Sequence, residues 1–321
     1  MAKTFLLSDQ ELPTQYNLAK YLQQKGYNPT SELSQACFHD SHLALSGVNT
    51  ELLEYKHHLA RLSQSLQTPV MPPTYVVDDG NYEDVVEQIS YYPQAVWILK
   101  PAFMNNGEGI HIFTHYQQLY RHYQSNQRYG GPHVLQRYIT QPHLLQGHKY
   151  TLRLFVIVTN QGQAYAYKDG YFNICCEAYT PNDWQRLTPH LTNEHFGEDE
   201  TPNIYQMPTS KCPNFDNMYK SLKQIAGLIM RAFYESDSHK GLYSNQRSLG
   251  IFGFDYIVDD ALNVWLLEAN HGPWFPKAED HPLHYYLYDY LWQDLLVDFV
   301  EPIIEGASWH PRSDCFTPLV G

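Results

Sequence analysis

The segment Ile251–Asn270, IFGFDYIVDDALNVWLLEAN, decides how the chain is read. Two runs of aromatic and β-branched residues, FGFDYIVD and NVWLLEAN, flank the short turn DALN, the pattern of an antiparallel hairpin. The second run passes from Val264, Trp265, Leu266 and Leu267 straight into Glu268, with Asn270 two places on. Alternation along a strand puts Glu268 and Asn270 on one face, with Leu266 and Val264 behind them. Antiparallel pairing brings Asp255 to the same end. Taken singly, each of the three reads as an ordinary polar strand end. Taken together, two adjacent carboxylates repel unless they share a cation, and oxygen donors on neighbouring strands suit Mg²⁺.

A second charged feature lies upstream. Trp97–Phe113, WILKPAFMNNGEGIHIF, runs strand, lysine, glycine-containing loop, strand. Lys100 at the strand end suits a phosphate as a point charge. Gly107 and Gly109 let backbone N–H groups come close to an anion. The loop is neither a Walker A sequence nor a dinucleotide-binding fingerprint, and an ordinary hairpin turn is the competing reading. In Lys149–Val158, KYTLRLFVIV, alternation places Lys149, Thr151 and Arg153 on one face and Leu152, Leu154, Val156 and Val158 on the other. A solvated outer face would explain the cations. A nucleotide site explains them together with Lys100 and the acidic hairpin.

Around these segments the chain reads as mixed helix and strand. NTELLEYKHHLARLSQSL carries Leu52, Tyr55, Leu59, Leu62 and Leu66 at helical spacing, and prolines 69, 72 and 73 stop it. YEDVVEQISYY and MYKSLKQIAGLIMRAFYE read as helices, and QAYAYKDGYFNICCEAY as a further hairpin. PLHYYLYDYLWQDLLVDFVEPII reads as a long closing helix. Residues 1–45 read as a small α/β unit. Residues 180–215 show no period and read as a long loop of the kind that serves as a lid.

The chain has 321 residues, 43% of them apolar, enough for a sizeable core divided among two or three domains or held in one composite fold. Its 27 tyrosines imply many half-buried rings with hydroxyls reaching water or a partner. A net charge of −13 argues against nucleic acid or an anionic membrane as partner. Five cysteines without a C-x-x-C spacing point to a reducing, cytoplasmic setting. No signal peptide or membrane-spanning run is visible, so a soluble protein is expected. The 17 histidines lack metal-ligand spacing.

WILKPAFMNNGEGIHIF, HVLQRYITQPHLLQGHKYTLRLFVIV, HLTNEHF and FGFDYIVDDALNVWLLEANHGP, in that order, resemble the tubulin–tyrosine ligase family. The resemblance runs from about Asn49 onward. It implies an α+β, ATP-grasp fold with a small N-terminal α/β domain, divided as 1–54, 55–131 and 132–321. It implies ATP and Mg²⁺ as cofactors and a ligase joining an amino acid to a peptide or protein carboxylate through an acyl phosphate. Lys56 and Lys100 would contact phosphate. Gln136, Arg137 and Ile139, in QRYI, would read the adenine edge. Lys149 would reach the nucleotide, and Arg153 would stabilise the transferred phosphoryl group. Asp255, Glu268 and Asn270 would hold Mg²⁺. Thr192 and Asn193 would lie near the acceptor. Thr151 stands where the family carries an acid, and Asn173 where it carries an arginine. These two departures imply either a changed amino donor or a protein that binds ATP without ligating. A ligase of small-molecule amino acids is a further alternative. The family's protein acceptor is tubulin, whose acidic tails a surface of −13 would repel without a local basic groove.

Overall fold

The computed structural model describes residues 3–9, 11–45, 48–194, 201–213, 215–236 and 246–320. The fold is α+β, built on three sheets. The smallest belongs to the N-terminal unit. Thr4–Leu6 (β1) lies between Asn28–Pro29 (β2) and Phe38–His39 (β3), all parallel. Pro13 starts the helix Pro13–Gln24 (α1), where its missing N–H costs nothing.

The stretch expected as one helix over 49–66 is broken. Tyr55 takes an extended conformation (ψ 121°), giving Glu51–Glu54 (α2) and Lys56–Gln64 (α3). The break sets Lys56 at the start of α3. Leu59 is fully buried, and Leu52, Leu62 and Leu66 pack against the same core, so the apolar spacing serves its expected purpose.

A four-stranded antiparallel sheet follows, in the order Thr74–Val77 (β4), His133–Arg137 (β7), Trp97–Pro101 (β5) and His111–Phe113 (β6). Tyr82–Ser90 (α4) and Tyr116–Gln124 (α5) cover one face through Val85, Ile89 and Leu119. The boundary expected at 131/132 falls inside this sheet, because β7 pairs with both β4 and β5.

The largest sheet is seven-stranded. Its central path is Ile204–Pro208 (β11), Ala164–Cys175 (β10), His148–Thr159 (β9), Leu249–Val258 (β12) and Val264–His271 (β13). Leu144–Leu145 (β8) joins β9, and Phe316–Val320 (β14) joins β10. The segment expected as a hairpin over 163–179 is one long strand. Its polar Lys168–Asp169 sits at a register shift between Ala166 and Gly170, which mimics a turn in sequence. The supposed loop over 180–215 contains β11, and Trp184, Leu187 and Leu191 pack against Ile98 and Tyr138. Residues 195–200 and 214, including His195 and Phe196 of HLTNEHF, lie outside the described residues.

The two faces of the large sheet have different tasks. Leu152, Leu154, Val156 and Val158 of β9 face a core shared with α3 and the helix Phe215–Glu235 (α6). On the other face, Phe155 and Ile157 enter a core shared with the N-terminal unit and the C-terminal helical run. That run starts with a wider π segment at His284–Tyr288, continues as Asp289–Leu295 (α7), and passes through a second π segment at Leu296–Val300 into Glu301–Glu305 (α8), with β14 following. Tyr21 and Tyr167 donate from this core to Asp289 and Asp294 at 2.6 and 2.9 Å. The N-terminal unit therefore shares its core with the rest of the chain. Lys149, Thr151 and Arg153 continue the same face of β9 past Phe155, and there the face opens into a cleft.

Two glycines let Arg153 sit at the sheet's centre. A Cβ at Gly170 would overlap the Arg153 carbonyl oxygen, and one at Gly253 would meet the Arg153 side chain at 2.9 Å. The Gly170 obstacle is backbone and cannot rotate away. Gly170→Ala is expected to destabilise the fold by about 3 kcal/mol, the upper range of overpacking costs, as read by urea unfolding. A cost below about 1 kcal/mol would show that the β9–β10 register yields easily.

Candidate active site

A cleft of about 790 Å³ lies between the four-stranded sheet and the open end of the large sheet. Lys56, Lys100, Gly107, Gln136, Arg137, Ile139, Lys149, Thr151, Arg153, Asn173, Thr192, Asn193, Asp255, Glu268 and Asn270 all line it. Among the residues singled out in sequence, Gly109 is the exception. Its φ of +69° and the close Tyr129 ring and Pro101 account for the glycine. Gly107 (φ +77°) does reach the wall.

The charged end is organised by the hairpin. Asp255 pairs with Glu268 and Gly253 with Asn270 across β12 and β13. The expected alternation fails at one point: a bulge between Asp255 and Tyr256 leaves Leu267 unpaired, so Leu266 faces the core opposite Tyr256 while Leu267, Glu268 and Asn270 face the cleft. The Arg153 guanidinium grips both Asp255 oxygens, Nε to Oδ1 at 2.7 Å and an Nη to Oδ2 at 2.5 Å, and donates to the Tyr171 hydroxyl at 3.2 Å. Asn270 Nδ2 lies 3.1 Å from Asp255 Oδ2 and 3.4 Å from Glu268 Oε1. Lys56 Nζ lies 3.8 Å from Glu268 Oε2 and donates to the Met104 carbonyl at 2.8 Å, tying α3 to the glycine loop.

Burial and charge set the protonation states. Burial pulls Lys100 down to about 8, with Glu268 and Asp255 opposing. Burial likewise pulls Lys149 down to about 7. Burial lifts Asp255 to about 6 against the pull of Arg153, while Arg153 itself is held charged by Asp255. Burial would also lift Glu268, but Lys56, Lys100 and Arg153 outweigh it and bring the carboxyl to about 2. Glu268 is thus a fixed anion, with 31% of its side chain open to the cleft.

Some side chains are engaged differently from the sequence expectation. The Gln136 amide accepts from Lys100 at 3.0 Å and donates to Thr74 at 3.0 Å, so it spans the sheet instead of pointing freely into the cleft. Lys149 donates to the Tyr138 hydroxyl at 2.8 Å and the His190 carbonyl at 2.6 Å, and Tyr138 meets His190 Nδ1 at 3.0 Å. Tyr138 and His190 were not singled out in sequence, although each sits within two residues of a residue that was. Gln206 was missed altogether, because its strand hides in a stretch without period. His271 Nδ1 lies 2.7 Å from Glu54 Oε1, and the His271 ring stacks on Phe252 at 4.7 Å beside Asn270.

Asp255, Glu268 and the Asn270 amide form a cluster of hard oxygen donors. Turning the Asn270 amide over presents its oxygen, in place of Nδ2, on the side of Asp255 and Glu268. No cluster of three or more His, Cys, Asp or Glu side chains suited to a metal occurs among the described residues. None of the five cysteines forms a disulfide, and among the described residues no helix is long and apolar enough to cross a membrane.

The buried pair gives a stability test. Asp255→Ala leaves Arg153 charged, buried and unpaired, and should cost about 3–5 kcal/mol in denaturant unfolding. The double change Arg153→Met with Asp255→Leu should recover most of that loss. If the double variant is as unstable as the single, the ion pair is not the source of the cost.

The sequence profile of the tubulin-tyrosine ligase family matches residues 39–307. Tubulin glycylase 3C of Tetrahymena thermophila is 28% identical over 194 residues, covering 56% of this chain and 18% of that protein. The probable alpha-tubulin polyglutamylase Ttll1 of the same organism is 25% identical, covering 63% of this chain and 54% of its own length. Tubulin polyglutamylase TTLL7 of Homo sapiens is 26% identical, covering 66% of this chain and 27% of its own length. The chain thus spans about half or less of each of these relatives. The match begins upstream of Asn49, taking in part of the N-terminal unit, and extends across every strand lining the charged end of the cleft. The chain belongs to the tubulin-tyrosine ligase family.

Proposed function

We propose that the protein is an ATP- and Mg²⁺-dependent carboxylate–amine ligase of the ATP-grasp type, adding an amino acid to a peptide or protein carboxylate through an acyl phosphate. One observation carries this reading. Three cations, Lys56, Lys100 and Arg153, converge with a fixed anion, Glu268, at one end of a cleft between two sheets. Such a mixture suits a polyphosphate and its metal better than either charge alone.

In this reading Lys56 and Lys100 neutralise phosphate, and the loop through Gly107 closes beside it. The Gln136–Ile139 strand end offers backbone groups to the adenine edge, with the Gln136 side chain holding Lys100 in place. Glu268, Asp255 and Asn270 would hold Mg²⁺, which would supply charge neutralisation to the bound phosphates. Arg153 steadies the phosphoryl group in transfer. The substrate carboxylate attacks the terminal phosphorus and ADP leaves. The amine then forms the C–N bond as the C–O bond to phosphate breaks and a proton is lost. The relatives' names make tubulin the first acceptor to try.

A second reading, a nucleotide binder that does not ligate, draws on Thr151. Its hydroxyl is tied to Thr192 at 2.9 Å, and it brings no charge to the cleft. The two readings separate on turnover. Wild type with ATP, Mg²⁺, labelled amino acids and tubulin or a cell extract should label a polypeptide and release phosphate. Glu268→Gln should lower both by about 100-fold or more, the scale of losing a few kcal/mol of charge stabilisation. Stabilisation by ATP with no label and no phosphate release would rule out the ligase and leave the binder.

The lysines predict a pH dependence of nucleotide affinity. Phosphate favours their charged forms, while burial places Lys149 near 7 and Lys100 near 8. Below about 7 both are already protonated. Above about 7 binding must take up a proton at Lys149, and above about 8 at Lys100 as well, so affinity should fall by up to about tenfold per pH unit for each lysine involved. Calorimetry in two buffers of different ionisation enthalpy reads that uptake directly. An affinity unchanged from pH 7 to pH 9 would remove these lysines from the phosphate site.

A further inference from the structure

Beside the charged row of the large sheet lies a neutral one. Asn173 pairs across β9–β10 with Thr151 and across β10–β11 with Gln206, so three strands place Thr151, Asn173 and Gln206 side by side on the cleft face. Thr192 stands over Thr151 at 2.9 Å. Gln206 Nε2 donates to Asn173 Oδ1 at 3.0 Å. Asn173 and Thr151 are more than nine-tenths buried, so what they offer is offered to an occupant of the cleft. Among the described residues, Asn173 Nδ2 and Gln206 Oε1 have no hydrogen-bond partner. The paired amides therefore present one N–H₂ group and one carbonyl. Turning both over exchanges the roles but leaves one donor and one acceptor free. That combination complements another amide.

The row also disfavours a carboxylate. Arg153, one row along, is paired with Asp255, and Lys149, on the other side, is tied to Tyr138 and the His190 carbonyl; in the ligase reading both cations serve the nucleotide. Glu194, on the same cleft wall, adds negative charge. A second anion here would be desolvated without a free cation beside it.

We propose that this row is a specificity subsite for the second substrate, reading an uncharged carboxamide and rejecting a carboxylate. The inference rests on the ligase reading for what the substrate is used for, but not for whether it binds. It makes Gln206 and Asn173 specificity-determining residues and gives the neutral Thr151 a place in recognition.

L-Glutamine and L-glutamate test it, being isosteres that differ only in the group at issue. Calorimetric titration of the full chain, with and without Mg²⁺–ADP, should show glutamine binding about tenfold or more tightly than glutamate, since a site built for hydrogen bonds discriminates strongly against a mismatched group. Asn173→Arg should reverse the preference, with the stabilisation by Mg²⁺–ADP kept as the sign of an intact fold. Gln206→Lys, at the less buried end of the row, should move it the same way if the first variant fails to fold. Equal binding of the two ligands, tighter binding of glutamate, or no binding of either at millimolar concentration overturns the subsite. Loss of the Mg²⁺–ADP effect with discrimination intact would overturn the ligase reading and leave the subsite standing.

Discussion

The structure turns on taking one charge pair out of water at the centre of its largest sheet. Arg153 and Asp255 lie on neighbouring strands, in register, with Nε and one Nη of the guanidinium on the two oxygens of one carboxylate. A buried pair of this kind contributes little net stability, because desolvation offsets most of the attraction. Its effect is on arrangement. It requires Gly253 to leave room for the arginine side chain and Gly170 to let the neighbouring strand approach its backbone. It also sets the electrostatics of the cleft: Arg153 joins Lys56 and Lys100 in keeping Glu268 ionised.

The division of one sheet face into a core half and a cleft half follows from the same strand. Phe155 and Ile157 bury against the C-terminal helical run and the N-terminal unit, while Arg153, Thr151 and Lys149 continue the face into open space. The apolar half anchors the strand, so the polar half is held in place without needing its own packing. That is how side chains costly to bury are held within a few ångströms of one another in a chain of net charge −13.

Much of this was legible in the chain. Lys100 before a glycine loop, Arg153 alternating with leucines, and Glu268 behind four apolar residues each break a local pattern, and the breaks mark the site. Other features left no mark. The strand at 204–208 lies among Thr, Pro and Asn and is held by pairing with β10. The polar residues at 168–169 imitate a turn but occupy a register shift. Tyr55 sits at helical spacing yet ends one helix and starts another. In each case tertiary pairing overrode the local preference.

The sequence by itself determined which residues carry charge, which strands they belong to and the order of those strands. It also set the alternation that sorts each strand into an apolar and a polar face. Tertiary structure alone decided which polar residues meet. The bulge at Leu267 turns Leu266 to the core while Glu268 stays on the cleft side. The pairing of β11 with β10 sets Gln206 against Asn173, 33 residues apart. Alternation is a local property of the backbone, but register is a property of two strands at once. One inserted residue or one unexpected neighbour changes what a side chain faces without changing the pattern that predicts it.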